Sequence, residues 1–191
     1  CWTSNSDGTG ISWTDGQILK MKKFDTDTPF DKIHKYYEEI RLKTEFPILL
    51  HFRIATHGGV SLKNTHPFMI NQNLAMAHNG VLSGFGSKTY NNEVSDTIDF
   101  MKKILRKFPN TFYKHEGTVE ALGTIIGTNK FVFLDNTGFS TIVNANLGIE
   151  DGDTWFSNNS FKSRGYRKGG STTYGANKSY CGGYSDYYDD D

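Results

Sequence analysis

An α+β domain of layered sheets and helices is predicted by three observations. Short apolar strands lie near the start of the chain and return toward its end. Two or three stretches of helical period fall among them. The 191 residues suit one domain of ordinary size with a real core.

The elements follow in order. Residues 9–23 read as a hairpin, in which "TGISW" and "QILKMKK" flank "TDG", with Asp15-Gly16 as a short-loop signal. Thr28-Pro29 opens a helix, with Pro at the first helical position. Phe30, Ile33, Tyr37 and Ile40 form its apolar stripe, and Pro47 ends it. "ILLHFRIAT" is a buried strand. Glycines and polar residues make a loop to "NLAMAHNGVL", a second apolar strand with a turn at Asn79-Gly80. Ser95 is the expected N-cap of the next helix, with Asp96 in its first turn. Ile98, Met101, Leu105 and Phe108 lie along one face of that helix. A shorter helix covers "TVEALGTIIG", "KFVFLDNTGFSTIVN" is a hairpin with its turn at "DNTG", and "TWFSNNSF" is one last strand.

Composition excludes several classes. Lys+Arg and Asp+Glu balance at 21 each, so no global basic excess draws the chain to nucleic acid or to anionic membrane. No apolar run approaches the roughly 18 residues of a spanning helix. The two cysteines, Cys1 and Cys181, stand at opposite ends and form no disulfide framework. A reducing, cytoplasmic setting is expected. From Ser163 the composition changes: residues 163–191 carry six Gly, six Tyr and an acidic end, too few aliphatics for a core. The expected division is therefore a domain over 1–162 and a tail over 163–191, either laid over the domain or docking a partner.

A few residues point to chemistry. A terminal Cys1 holds a nucleophile and a base in one residue. A free thiol has a pKa of about 8.5, and an α-amino group sits near 7.7–8.0. The amine can take the thiol proton and return it to a leaving amine, with no separate histidine. The other readings are an arbitrary sequence boundary and a lipid-modified cysteine. Arg53, near the end of an apolar strand, either pairs with an Asp or Glu or grips a ligand carboxylate with two parallel bonds. Thr56, His57, Gly58 and Gly59 form the turn beyond it. Asn79-Gly80 is a turn that also offers an amide NH₂ and an open backbone N–H side by side, a pair able to hold an oxyanion. Asp96 is either capping chemistry or a carboxylate for an ammonium. The spacing of His51, His57, His66 and His78 fits no common zinc pattern, and no metal is expected.

Cys1, "NSDGTGISW" (5–13), "HFRIATHG" (51–58), "AHNG" (77–80) and "SDT" (95–97) occur in that order. With these motifs, residues 1 to about 160 resemble the class II glutamine amidotransferase (glutaminase) domain of the N-terminal nucleophile hydrolases. The resemblance implies a four-layer αββα sandwich with Cys1 as nucleophile at the end of a central strand. It implies an oxyanion hole from the Asn79 side chain and the Gly80 N–H. It gives Arg53 to the α-carboxylate of glutamine and Asp96 to its α-ammonium, with Thr56 and His57 lining the same pocket. No cofactor is implied. Glutamine is the implied substrate, and a γ-glutamyl thioester the intermediate. Two positions depart from the usual pattern: Ile98 stands where an acidic residue is common, and Ile54 where an aromatic is. No synthase domain is expected within these 191 residues. The ammonia therefore goes to a separate acceptor enzyme, or the chain is a free-standing γ-glutamyl amide hydrolase. A domain of another class, binding amino acids or a partner without catalysis, is disfavoured by the intact Cys1 and Asn79-Gly80.

Overall fold

The computed structural model describes residues 5–55, 59–86 and 94–159. Cys1, Thr56, His57, the expected boundary after residue 162 and the tail lie outside them.

The chain opens with the expected antiparallel hairpin, β1 (Thr9–Thr14) against β2 (Leu19–Phe24). Asp15 builds its turn: one carboxylate oxygen accepts the N–H groups of Gln17 at 3.1 Å and Ile18 at 2.9 Å. α1 (Phe30–Arg41) then leads to β3 (Leu49–Phe52), which pairs with the other edge of β1 and gives the order β2-β1-β3. Pro29 stands just before α1 rather than inside it, and the helix stops at Arg41, well short of Pro47. Ile33 and Ile40 of its stripe are buried with Ile11 and Phe24, while Tyr36 and Tyr37 pack at the margin.

The second sheet is antiparallel throughout, in the order β4 (Phe68–Asn71), β5 (Leu74–Asn79), β6 (Lys130–Asp135), β7 (Ser140–Val143). β4 falls where the sequence suggests a loop. The β6–β7 turn is tied by Asp135, whose carboxylate accepts the N–H of Thr137 at 2.8 Å, the hydroxyl of Tyr113 at 2.8 Å and an ion pair from Lys114 at 2.7 Å. β8 (Ile149–Asp151) and β9 (Thr154–Phe156) form a small ladder of their own, of which the sequence signals only the second strand.

Ser95 caps α2 (Asp96–Lys103) as expected, its hydroxyl accepting the Ile98 N–H at 3.3 Å. The apolar period outlasts the helix: a 3₁₀ turn over Leu105–Lys107 still buries Leu105. α3 (Glu116–Ile126) follows.

Strand alternation sorts the layers. On β5, Leu74 and Met76 meet Ile98, Met101, Leu122 and Ile126 of α2 and α3. The next residues along, Ala75 and Ala77, join Leu19 and Leu49 of the first sheet and Leu134 of β6. The first sheet turns Ile11 and Phe24 to α1. The architecture is α+β with separate antiparallel sheets. Among the described residues no helix is long and apolar enough to cross a membrane.

Candidate active site

The alternation that buries Ala75 and Ala77 brings Asn79, the last residue of β5, to the same side. Gly80 follows with φ of 128°, a backbone geometry that a side chain resists. A Cβ there would also strike the Asn129 side-chain oxygen. The turn expected at Asn79-Gly80 is thus present, and both its backbone and its surroundings require the glycine.

Arg53 follows β3 and is almost wholly buried, at 3 % exposure. The strand entry "DGTG" holds its backbone: Arg53 N–H donates to Gly8 O at 2.8 Å and Asp7 N–H donates to Arg53 O at 3.0 Å. The Asp7 carboxylate then accepts the Ala55 N–H at 2.8 Å. Gly8 and Gly10 let a second segment cross close by, since a Cβ on Gly8 would meet Thr65 and one on Gly10 the His66 carbonyl. Burial pulls the Arg53 pKa below its ordinary value, and the charges of Asp7 and Asp96 oppose that shift.

Asp96 is buried at 6 % exposure and already partly engaged. One of its oxygens accepts the Leu82 N–H at 2.7 Å, and the other accepts the Thr97 N–H at 2.7 Å. A carboxylate has about four acceptor positions, so this leaves capacity for a further donor. The same carboxylate acts on the charge of both Arg53 and His78.

The sequence gives no sign of what lies beneath. His51, His66 and His78 converge, with ring centroids 4.4 Å apart for the first pair and 6.2 Å for the second. Their hydrogen bonds run in one direction. Asn129 donates from its amide nitrogen to Ile126 O at 2.6 Å, so its oxygen faces His78 Nε2 at 2.9 Å. His78 therefore carries its proton on Nε2 and accepts at Nδ1, from the Thr97 hydroxyl at 2.7 Å. Thr97 in turn accepts from His66 Nε2 at 3.2 Å. His51 Nε2 donates to the His78 carbonyl at 3.2 Å. Thr97 and His78 thus tie the start of α2 to the end of β5. Among the described residues, no group of three or more His, Cys, Asp or Glu side chains is arranged to hold a metal.

Burial, with the neighbouring His78, pushes His51 down to about 3, and burial with the surrounding cations holds His66 well below its ordinary value. His78 is lowered too, chiefly by burial. The unfolded chain titrates near 6.5, so below that pH it binds protons that the folded rings refuse. Stability is then fullest above about 6.5 and falls as pH drops toward the folded values. His51 alone should cost about 2 kcal/mol between pH 7 and 5. Urea unfolding midpoints at pH 7, 6 and 5 check this, and a flat profile would contradict sealed, neutral rings.

Between the sheets lies a cleft of about 570 Å³. Its lining includes the polar His51, His78, Asn79 and Lys130, the charged Arg41, Glu45 and Asp153, and the apolar Leu49, Ala77, Val132 and Leu134. Arg53, Gly80 and Asp96 do not line it. Of the seven residues the sequence singles out, the structure thus places Asn79 at the cleft with Gly80 next to it, and buries Arg53 and Asp96 away from its lining. The remaining three, Cys1, Thr56 and His57, fall outside the described residues.

The family model for class-II glutamine amidotransferases matches residues 2–124, more than half of the chain. The chain belongs to that family. Two curated relatives carry the name "putative glutamine amidotransferase". YafJ of Escherichia coli (strain K12) is 29% identical over 118 residues, which cover 56% of this chain and 46% of YafJ. The other, from Haemophilus influenzae (strain Rd), is 31% identical over 88 residues, 44% of this chain and 30% of the relative. The matched part of this chain thus spans less than half of either relative.

Proposed function

We propose that this chain hydrolyses the side-chain amide of glutamine through Cys1, and that the ammonia passes to an acceptor outside the described domain. The observation that carries the reading is the position of Asp96. Its buried carboxylate acts on the charge of the buried Arg53 and, through the Thr97 N–H and the Thr97 hydroxyl on His78, is tied to the strand end that carries Asn79-Gly80. A free amino acid presents a carboxylate and an ammonium together, and Arg53 beside Asp96 matches that pair of charges. Asn79 and Gly80 would then meet the oxygen of the reacting amide, and Thr56 and His57 would border the same pocket.

The proposed steps use only this chain's groups and water. The α-amine of Cys1 takes the thiol proton, and the thiolate sulfur bonds to the amide carbon. The carbonyl electrons move to oxygen, where Asn79 and Gly80 donate. The carbon–nitrogen bond breaks as the ammonium of Cys1 protonates departing ammonia. Water then gives a proton to the same amine and attacks the γ-glutamyl thioester, releasing glutamate and restoring the thiol. Lys130, at the start of β6 opposite Asn79, has no step of its own in this sequence. Three separate apolar clusters, one between the sheets and one on the helix side of each, support a four-layer αββα reading. The thiol chemistry favours a reducing compartment, and the cytoplasm is the proposed location.

The test is to prepare the chain with Cys1 as its first residue and measure ammonia and glutamate from glutamine. Equal yields of both are expected. Placing one extra residue before Cys1 should abolish them, because the base becomes a peptide amide. Undiminished turnover in the extended protein would place the base elsewhere.

A further inference from the structure

We infer that Lys130 is a positioning residue for the proposed oxyanion turn: its ammonium holds the Asn79 carboxamide by the oxygen and leaves the amide NH₂ to face the reacting carbonyl. The inference rests on the glutaminase reading above and adds a residue to it.

Register supplies the first reason. In the β5–β6 ladder Asn79 stands directly opposite Lys130. Opposed residues of an antiparallel pair project to one face, and their side chains meet there. Both line the cleft between the sheets. The second reason is the contact, Lys130 Nζ to Asn79 Oδ1 at 3.4 Å. An ammonium has donors only, so the amide atom facing it must be the oxygen. A bond of that length is chiefly charge against dipole, and its effect is orientation. Asn79 is 9 % exposed, so few solvent bonds compete for its amide.

The support of Lys130 is the third reason. The preceding residue, Asn129, is fixed at three atoms. Its amide nitrogen donates to Ile126 O at 2.6 Å, its amide oxygen accepts from His78 at 2.9 Å, and its backbone carbonyl accepts from Asn144 at 2.8 Å. The Asn129 oxygen also lies against Gly80. Residues 129 and 130 thus brace both halves of the turn, Asn129 against Gly80 and Lys130 against Asn79. A cation on the amide oxygen also polarises the amide, which makes its N–H a stronger donor to a developing negative charge.

The experiment measures kcat and KM for glutamine, with melting temperature, in the wild-type chain and in Lys130→Met, Lys130→Gln and Lys130→Arg. Lys130→Met keeps an unbranched stem one atom shorter and removes the charge. It should lower kcat about tenfold or more with KM within about twofold, since the lost interaction matters only where charge develops. Lys130→Arg restores a cation and should recover most of kcat. If Lys130→Met melts early, Lys130→Gln, neutral but polar, should show the same split. Wild-type kcat in a folded neutral variant overturns the inference, as does a loss confined to KM or no recovery with arginine. A wild-type chain that releases no ammonia from glutamine overturns the inference together with the reading beneath it, and is told apart because it fails before any variant is compared.

Discussion

Cys1→Ala should abolish ammonia release from glutamine, by about 10⁴-fold or more, while the domain stays folded. The reason is chemical. The proposed reaction needs a sulfur nucleophile and a base on one residue, and alanine keeps only the base. Stabilisation by an oxyanion hole and by substrate binding survives the loss of a nucleophile, so a trace of hydrolysis above that in water is compatible with the scheme. Cys1→Ser should fare little better, since an amine near pKa 8 cannot ionise a hydroxyl to a useful extent. The measurement is steady-state ammonia release, with melting temperature as a control on folding. Substantial turnover in purified Cys1→Ala would remove Cys1 from the mechanism.

Asn79→Ala should lower kcat by about 10²–10³ with little change in KM, because one donor to the developing oxyanion is lost. Arg53 and Asp96 should behave in the opposite way. The charges they are proposed to meet on the amino acid do not change during reaction, so they bind ground state and transition state alike. The structure governs which substitutions test this. Asp96 also accepts the Leu82 N–H at 2.7 Å, so alanine would disturb the fold of that loop. Asp96→Asn keeps an oxygen for that bond and removes the charge, losing the bond the other oxygen accepts from the Thr97 N–H. Arg53 is buried among the charges of Asp7 and Asp96, so Arg53→Lys keeps their compensation and loses the two-pronged grip. Each should raise KM about tenfold or more, with kcat nearly unchanged. A rise in KM alone for Asn79→Ala would contradict its place at the oxyanion.

Much of this was legible from local signals. Asp15-Gly16, the Ser95 cap and the period of α1 each depend on neighbours within one turn, and each was realised. β4 was not, because its four residues are too short a run to show alternation beside the polar loop before them. "ILLHFRIAT" overran its strand, since the backbone beyond Phe52 is captured by Asp7 and Gly8. The largest omission was the group of His51, His66, Thr97 and Asn129. The histidines could be weighed for metal spacing, but their actual partners are distant in the chain, with Asn129 51 positions from His78. Lys130 was silent for the same reason: its meaning comes from lying opposite Asn79, which register decides and composition does not.

The apolar clusters have unequal weight, and that sets which parts of the domain open first. Among the described residues, sixteen buried apolar residues lie on the helix side of the second sheet, against four between the first sheet and α1. Local unfolding follows buried contact, so amide protection should be graded across the molecule, with β4–β7, α2 and α3 as the slow-exchanging unit. The strand end that carries Arg53 belongs to the more readily opened unit, and the Asn79-Gly80 turn to the durable one. Breathing of this domain would therefore part the two halves of the proposed pocket without loosening the oxyanion turn.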